Sequence, residues 1–289
     1  MRTKGLTEMM KKILCGVLAT LMVAALGGCG AKNQTPAASS EAPAASSQAA
    51  SAGSKTEAPA VELMVSAAAS LTDCMNELKG IYEGENKAVK ITCNFGSSGS
   101  LQQQIEQGAP ADVFFSAGKK QMTALSEKKL MNDASIKEIL ENKVVLITPK
   151  GAEKIASFED LAGEKVTKIG VGEPESVPVG QYTAEIFEKL KLTEALKPKL
   201  VFAKDVREVL SWVETGNVQA GIVYETDAKI SDKVEICATA PEGSHKKVIY
   251  PIGVTKESKH AAEAQAFVDF LFTDKAKEVF VKYGFTTIA

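Results

Sequence analysis

The chain has 289 residues, of which 45% are hydrophobic and 24% charged, a composition typical of a soluble protein with one or two domains that bury a core. Its formal net charge of -2 argues against a nucleic-acid partner, because proteins that bind nucleic acids carry basic surfaces. The arginines are Arg2 and Arg207, so an anion bound by this chain would not be clamped by an arginine cluster.

Residues 1–29 predict a secretory signal peptide. Basic residues among the first twelve precede an apolar run at 13–26, which is short for a membrane span. The run ends in Leu26-Gly27-Gly28-Cys29, which resembles the lipobox of bacterial lipoproteins, where the cysteine is acylated and becomes the mature N-terminus. We therefore predict an extracytoplasmic protein that is anchored to the cell membrane through a lipid on Cys29. A chance thiol after an ordinary cleavage site is the alternative.

Residues 30–60 predict a disordered tether. The segment is rich in Ala, Ser, Pro, Gln and Thr and contains almost no large apolar side chain. Such a composition cannot bury enough surface to offset the entropy lost on ordering. The tether would hold the folded domain, predicted for residues 61–289, clear of the bilayer surface.

The cysteines and histidines of residues 61–289 show no metal-binding pattern. The spacings of Cys74, Cys93 and Cys237 match no metal motif, and His245 and His260 are isolated in the sequence. Buried thiols are therefore the default interpretation of the cysteines. A Cys74–Cys93 disulfide is the alternative, because exported proteins fold in an oxidising compartment.

From residue 61 onward, short apolar runs alternate with longer amphipathic segments, which predicts βαβ units and a mainly parallel sheet. The first half predicts strands at 63–65, 89–95 and 112–116, helices at 71–82 and 98–108, and a third helix that ends near 130. The second half predicts strands at 143–149, 168–171, 200–202, 220–224 and 248–254, and helices at 179–190, 206–214, 262–272 and 275–283.

The strands at 143–149 and 248–254 are interpreted as crossings between two lobes. The first lobe would comprise about residues 61–142 and 253–289, and the second about residues 143–252. Each lobe would be α/β, with a mainly parallel sheet flanked by helices. The two crossing strands would leave a cleft between the lobes.

Strand-to-helix junctions are candidate anion sites, because the free N–H groups and the macrodipole of a helix start place positive charge in front of it. In the first lobe such junctions occur at Ala69-Ser70-Leu71 and at Gly96-Ser97-Ser98-Gly99-Ser100. Small residues at the second of them would let the backbone approach a ligand closely. Its alternative is a plain turn in which Ser97 or Ser98 is the N-cap.

Two further junctions occur in the second lobe. Pro178 near a helix start frees the amide of Val179, and Asp205 is a natural N-cap that makes Val206 the first helical residue. Their alternatives are an ordinary proline-led start and an ordinary cap with Arg207 in a surface salt bridge. Tyr224 ends a strand, where its hydroxyl could donate one hydrogen bond, although a lone tyrosine is more often part of a core or rim.

The order and spacing of these motifs is more specific than any one of them. The chain contains, in order, A-A-A-S-L-T-D, F-G-S-S-G-S-L, G-A-P-A-D-V-F-F-S-A, V-G-E-P-E-S-V-P-V-G, A-K-D-V-R, G-I-V-Y-E-T-D-A and S-H-K-K-V-I-Y-P. From residue 61 to residue 289 it closely resembles the ModA family, the molybdate-binding components of molybdate ABC importers. The resemblance implies the two-lobed fold of type II periplasmic binding proteins.

Carried over by motif, the resemblance assigns the oxyanion contacts residue by residue. Ser70 and Ser98 would donate through hydroxyl and backbone N–H. Val179 and Val206 would donate through backbone N–H, and Tyr224 through its hydroxyl. These donors would hold the molybdate oxygens, with no direct bond from protein to metal. The family commonly has alanine at the Val179 position, so the backbone donor is kept while the larger side chain would tighten or reshape the cleft wall.

A site built only of donors favours a fully deprotonated tetrahedral dianion. Hydrogen phosphate would leave its own O–H unsatisfied, at a cost of about 1–3 kcal/mol. Molybdate and tungstate, which are nearly the same size, meet this requirement, and the smaller sulfate would leave some donors too far away. Together with the resemblance, this predicts a monomeric substrate-binding lipoprotein, without cofactor or enzymatic activity. It would capture molybdate or tungstate and deliver the anion to an ABC permease. Through the permease it would be coupled to the ATPase subunit.

Three alternatives stay open on these grounds. A receptor for sulfate, thiosulfate or another oxyanion would use the same fold. A hydrolase with Ser70 or Ser98 as nucleophile is disfavoured, because neither serine lies in G-x-S-x-G and no histidine stands in a recognised relation to them. A ligand-sensing regulator would need a DNA-binding helical module. It is disfavoured because the N-terminal segment has the pattern of an export signal instead.

Overall fold

The computed structural model describes residues 61–153 and 155–288. The predicted signal peptide, the tether at 30–60 and Cys29 lie outside the described residues. Among the helices that the structure describes, none has the length and apolar character needed to cross a membrane.

The described chain alternates strands and helices through most of its length. The strands are β1 (Val61–Ala68), β2 (Val89–Gly96), β3 (Val113–Phe115), β4 (Lys137–Asn142), β5 (Val144–Pro149), β6 (Ile169–Gly172), β7 (Leu200–Ala203), β8 (Ala220–Tyr224), β9 (Val234–Thr239), β10 (Val248–Val254) and β11 (Thr286–Thr287). The helices are α1 (Thr72–Glu85), α2 (Ser98–Glu106), α3 (Lys119–Glu127), α4 (Pro178–Lys189), α5 (Thr193–Leu196), α6 (Val206–Glu214), α7 (Glu225–Lys229), α8 (Ala261–Phe270) and α9 (Asp274–Lys282).

These strands form two mixed sheets, one in each lobe. The first sheet has the order β11-β4-β10-β3-β1-β2, and the second has the order β7-β6-β8-β5-β9. In the first sheet β1 runs parallel to β2 and β3, while β10 is antiparallel to β3 and β4. In the second sheet β6 runs parallel to β7 and β8, while β5 is antiparallel to β8 and β9. The predicted two-lobed α/β fold is confirmed, with a larger antiparallel share than expected.

The crossings between the lobes differ from the prediction. The chain enters the second lobe through two consecutive strands, β4 in the first sheet and β5 in the second, separated by Lys143. It returns through residues 240–247, because β10 pairs wholly within the first sheet. The second lobe therefore ends before Val248 and not near residue 252. Strands β4 and β9 were missed because each mixes apolar with charged or polar residues and shows no continuous apolar run.

The centre of each sheet is apolar and fully covered. In β1, Leu63, Val65 and Ala67 have no exposed surface, and in β5 the same holds from Val144 to Ile147. A strand that is buried on both faces has a continuous apolar sequence, which explains why β5 could be predicted at nearly its true bounds. Such fully buried strands hold their ends in fixed positions, and the site is built from these ends.

The cysteines of the described residues are unpaired. Cys74 is buried on α1, where its Sγ donates to the Leu71 carbonyl at 3.2 Å. Cys93 and Cys237 are half-buried. The alternative of a Cys74–Cys93 disulfide is therefore wrong for this structure, and the default interpretation of a buried thiol holds for Cys74.

Candidate oxyanion-binding site

The carboxyl ends of parallel strands bring the predicted junctions together in pairs. In the first lobe, Ala68 at the end of β1 pairs with Gly96 at the end of β2. In the second lobe, Gly172 at the end of β6 pairs with Ala203 at the end of β7. Helix starts follow these strand ends, so their free N–H groups gather at one edge of each sheet.

The residues predicted for the site line one pocket between the two lobes. Ser70 and Ser98 line it from the first lobe, and Val179, Val206 and Tyr224 line it from the second. The cavity between them is small, with a volume of about 10 Å³ for the centre of a water-sized molecule. The structure thus brings all of these residues together, and their contacts with a ligand stay a prediction.

Ser70 lies in a 3-10 turn and does not cap a regular helix. The turn covers Ala69–Leu71, and α1 begins at Thr72 without a side-chain capping bond. The Oγ of Ser70 is instead 2.9 Å from the Oη of Tyr250, a residue of β10 that was not among the predicted site residues. Tyr250 belongs to the quoted S-H-K-K-V-I-Y-P segment, but a tyrosine in an apolar strand cannot be told from core by its sequence alone.

Ser98 is the first residue of α2, and Ser97 before it supplies the N-cap by accepting from the Ser100 N–H at 3.3 Å. The Oγ of Ser98 accepts the Ala117 N–H at 2.9 Å. A backbone amide can only donate, so the Ser98 hydroxyl keeps its own proton for another acceptor. Ser98 is fully buried, so that acceptor would have to lie in the pocket.

The second lobe contributes two helix starts. Val179 is the second residue of α4, after Pro178, and Val206 is the first residue of α6. Their N–H groups belong to the first turn, where a helix supplies no acceptor of its own. Asp205 caps α6 by accepting the Glu208 N–H at 2.9 Å. The Val179 side chain is fully buried, so the volume it adds over alanine lies in the packed wall of the pocket.

Tyr224 carries a buried hydroxyl that finds no hydrogen-bond partner among the described residues. Its side chain is 1% exposed, at the last position of β8. Burial raises the pKa of this phenol well above its usual range, so it stays a neutral donor. Buried polar groups in native proteins are nearly always paired, and an orphaned donor that lines a pocket indicates a ligand that accepts from it.

The lining of the pocket includes no cationic side chain. Its one carboxylate, Asp205, already accepts a backbone N–H as the cap of α6. Among the described residues, no group of three or more His, Cys, Asp or Glu side chains is placed to hold a metal ion. Charge compensation for a bound anion would therefore come from oriented amides and hydroxyls.

Arg207 lies beside the pocket and connects the lobes. Its Nη2 is 2.7 Å from Asp73 on α1, and its Nε is 2.6 Å from the fully buried Asp227 on α7. Burial, opposed by the guanidinium of Arg207, raises the pKa of Asp227 to about 6. The alternative of an ordinary surface salt bridge for Arg207 is therefore wrong.

The lobes are closed on the pocket. The Gly99 N–H in the first lobe donates to the Ser176 carbonyl in the second at 2.9 Å. A Cβ added to Gly99 would lie 2.3 Å from the same carbonyl oxygen, so only glycine permits this contact. The small residues of the F-G-S-S-G-S motif, which we expected to serve the ligand, thus also allow the backbones of the two lobes to meet.

Comparison with known proteins agrees with this architecture. The family model of the bacterial extracellular solute-binding proteins matches residues 63–286. The molybdate-binding protein ModA of Haemophilus influenzae is 40% identical over 233 residues, which are 79% of this chain and 91% of that protein. The chain belongs to the ModA family. The predicted resemblance is thereby confirmed.

Two further proteins are similar to this chain over most of its length. YvgL of Bacillus subtilis, named as an ABC transporter substrate-binding lipoprotein, is 47% identical over 232 residues, which are 78% of this chain and 86% of YvgL. A solved substrate-binding domain, assigned to a molybdenum ABC transporter from Clostridium difficile, has 44% identity and a TM-score of 0.63 over 80% of this chain and 100% of its own. The ModA family consists of solute-binding proteins and not of enzymes, so the hydrolase alternative is wrong.

Proposed function

We propose that this protein captures molybdate, and also tungstate, in the pocket between its lobes for delivery to an ABC importer. The observation that carries the proposal is the buried hydroxyl of Tyr224, which has no partner among the described residues and lies in a pocket lined by Ser70, Ser98 and two helix starts. The names of the relatives in Haemophilus influenzae and Clostridium difficile support the choice of molybdenum.

The donor set is suited to an anion without a proton. The Ser98 hydroxyl and the Tyr224 hydroxyl are left free to donate, and the amides of Val179 and Val206 can only donate. Hydrogen phosphate would place an O–H against these donors, at a cost of about 1–3 kcal/mol. Sulfate carries no proton, so its rejection would depend on its smaller size.

Binding would favour closure of the lobes. The donors come from both lobes, so a ligand makes more contacts when the cleft is shut, and it shifts the hinge equilibrium toward that form. The hydrogen bond from Gly99 to Ser176 would add to the stability of the closed form. The closed monomer would then be the form that the permease recognises, and through the permease it would act on the ATPase subunit.

Membrane attachment would come from lipidation of Cys29. The lipobox-like end of the predicted signal and the name of the Bacillus subtilis relative support this part of the proposal. Replacement of Cys29 by alanine should abolish the incorporation of labelled fatty acid into the exported protein. Labelling of the Cys29→Ala variant at the wild-type level would contradict a lipid anchor at this residue.

Calorimetry of the purified full chain tests the ligand assignment. Molybdate, tungstate, sulfate and phosphate are titrated side by side at the same pH and ionic strength. We expect dissociation constants of about 1 µM or tighter for molybdate and tungstate, and much weaker binding of the other two. Preferred binding of sulfate or thiosulfate would assign the protein to another oxyanion, and preferred binding of phosphate would remove the argument from the donor set.

A further inference from the structure

A chain of buried side-chain hydrogen bonds leads from the crossing between the lobes to Ser70. Asn142, the last residue of β4, lies 3.2 Å through its Nδ2 from the Oη of Tyr250. Tyr250 in turn lies 2.9 Å from the Oγ of Ser70. All three side chains are buried, so the chain is shielded from water that could replace its members.

The direction of this hydrogen-bond chain is fixed at its far end. The Oδ1 of Asn142 accepts the N–H of Lys143 at 2.8 Å, and because a backbone N–H only donates, the amide cannot be flipped. The two Nδ2 protons then go to Thr226 Oγ1 at 2.9 Å and to Tyr250 Oη at 3.2 Å. Tyr250 therefore accepts from Asn142.

Tyr250 passes this direction on to Ser70. Its phenol stays protonated, since burial raises its pKa well above the usual range. Asn142 fills one lone pair of the Oη, and among the described residues the Oγ of Ser70 is the one acceptor within hydrogen-bond distance of the phenol proton, so we take that proton to be donated to Ser70. Ser70 then accepts from Tyr250, and its hydroxyl proton is left for an acceptor in the pocket.

Ser98 reaches the same state by another route, because its Oγ accepts the N–H of Ala117. Both serines of the first lobe thus have an acceptor position filled by a donor that cannot reverse. A serine without such a donor can turn both of its lone pairs toward a protonated ligand. A serine whose Oγ already accepts from a fixed donor has one lone pair fewer to offer, and its own proton is left for the ligand.

We propose that Asn142 and Tyr250 are positioning residues that fix Ser70 as a donor and thereby help the site reject protonated oxyanions. This inference rests on the proposed function, because it concerns the selectivity of the same pocket. A purely structural role for the two residues would predict that their loss lowers stability, or affinity for every anion alike. Positioning predicts a change in the ratio of affinities.

The experiment measures the dissociation constants of molybdate and hydrogen phosphate at pH 8 with the purified full chain, phosphate by competition against molybdate. The Tyr250→Phe variant keeps the ring that packs 5.4 Å from Phe285 but loses the proton donated to Ser70. We expect the preference for molybdate over phosphate to fall about tenfold or more. Tyr82→Phe, which alters a buried tyrosine packed against Phe267 and Phe270, is the matched control and should keep the ratio.

A second variant reverses the direction of these hydrogen bonds instead of removing one of them. In Asn142→Asp the carboxylate accepts the proton of Tyr250, so Tyr250 must accept from Ser70 and the serine turns its lone pairs to the pocket. The added negative charge weakens the binding of every anion. The reversed hydrogen bonds should nevertheless lower the preference for molybdate over phosphate further than Tyr250→Phe does. If Asn142→Asp fails to fold, Tyr250→Phe decides the question by itself.

A double-variant cycle shows whether the effect passes through Ser70. In a Ser70→Ala background, Tyr250→Phe should leave the ratio of affinities unchanged, because the hydroxyl on which it acts is gone. An unchanged ratio in Tyr250→Phe alone, or an equal change in both backgrounds, would overturn the inference. A wild-type chain that binds no molybdate would instead remove the proposed function and the inference with it.

Discussion

The two lobes present their donors in different ways. The serines of the first lobe are engaged before any ligand arrives, Ser98 with Ala117 and Ser70 with Tyr250. The second lobe offers first-turn amides and a tyrosine hydroxyl that has no partner among the described residues. The first lobe is therefore set in advance by the protein, whereas the Tyr224 hydroxyl of the second is left for the proposed ligand. The same change to a donor should have opposite effects on the stability of the two lobes.

The largest expected effect concerns the residue that joins the lobes. Arg207→Gln leaves the fully buried Asp227 without its cation, and breaking a buried pair in this way costs about 3–5 kcal/mol. Urea unfolding of the ligand-free chain measures it. Asp73→Asn removes the exposed partner of Arg207 in the first lobe and should cost about 1 kcal/mol or less. Equal losses in the two variants would mean that the second lobe does not depend on the buried pair.

The raised pKa of Asp227 also leads to a prediction for how the stability of the protein varies with pH. Its pKa is raised from 3.8 to about 6 in the folded protein, a difference worth about 3 kcal/mol. Between these values the folded chain binds more protons than the unfolded chain, so the contribution of Asp227 to stability is greatest below pH 4 and declines as the pH rises through 6. The wild type should lose about 2 kcal/mol relative to Asp227→Asn between pH 4 and pH 7, because a smaller part of the difference is already lost at pH 4. Parallel pH profiles of the two proteins would contradict the raised pKa.

In the first lobe, Ser98→Ala should weaken both binding and the ligand-free fold. The variant removes a donor to the anion and leaves the N–H of Ala117 buried without an acceptor, each worth about 1–3 kcal/mol. Calorimetry with molybdate and urea unfolding without ligand measure the two losses separately. Ser211→Ala, at an exposed serine of α6 that does not line the pocket, serves as a control for the loss of a serine hydroxyl. A ligand-free stability equal to that of the wild type would show that the serine is not engaged in advance.

In the second lobe, Tyr224→Phe should weaken molybdate binding by about 1–3 kcal/mol but leave the ligand-free chain as stable as the wild type, or more stable by up to about 1 kcal/mol. The sign differs from that for Ser98→Ala because the lost hydroxyl has no partner among the described residues. The same two measurements apply, with Tyr82→Phe as the control. A clear loss of ligand-free stability in Tyr224→Phe would remove the contrast between the lobes.

Much of this protein could be predicted from its sequence. Buried strands such as β5 and β8 show continuous apolar runs, and helix starts at Pro178 and Asp205 carry local capping signals, so the fold class and the junctions followed from neighbouring residues. The residues proposed for the site followed from the order of short motifs, and the structure places them around one pocket. The ModA family was identified in the same way.

Only the tertiary structure decided what each donor contacts. The hydrogen bonds of Ser70 with Tyr250 and of Ser98 with Ala117, and the ion pair of Arg207 with Asp73, join residues far apart in the chain, and no local pattern encodes them. The return of the chain through residues 240–247 was likewise set by the pairing of β10 with β3 and β4. The sequence determines which positions carry hydroxyls, and local backbone preferences determine where helices begin and leave amides free. Packing decides which of them are already satisfied, and so which remain for a ligand.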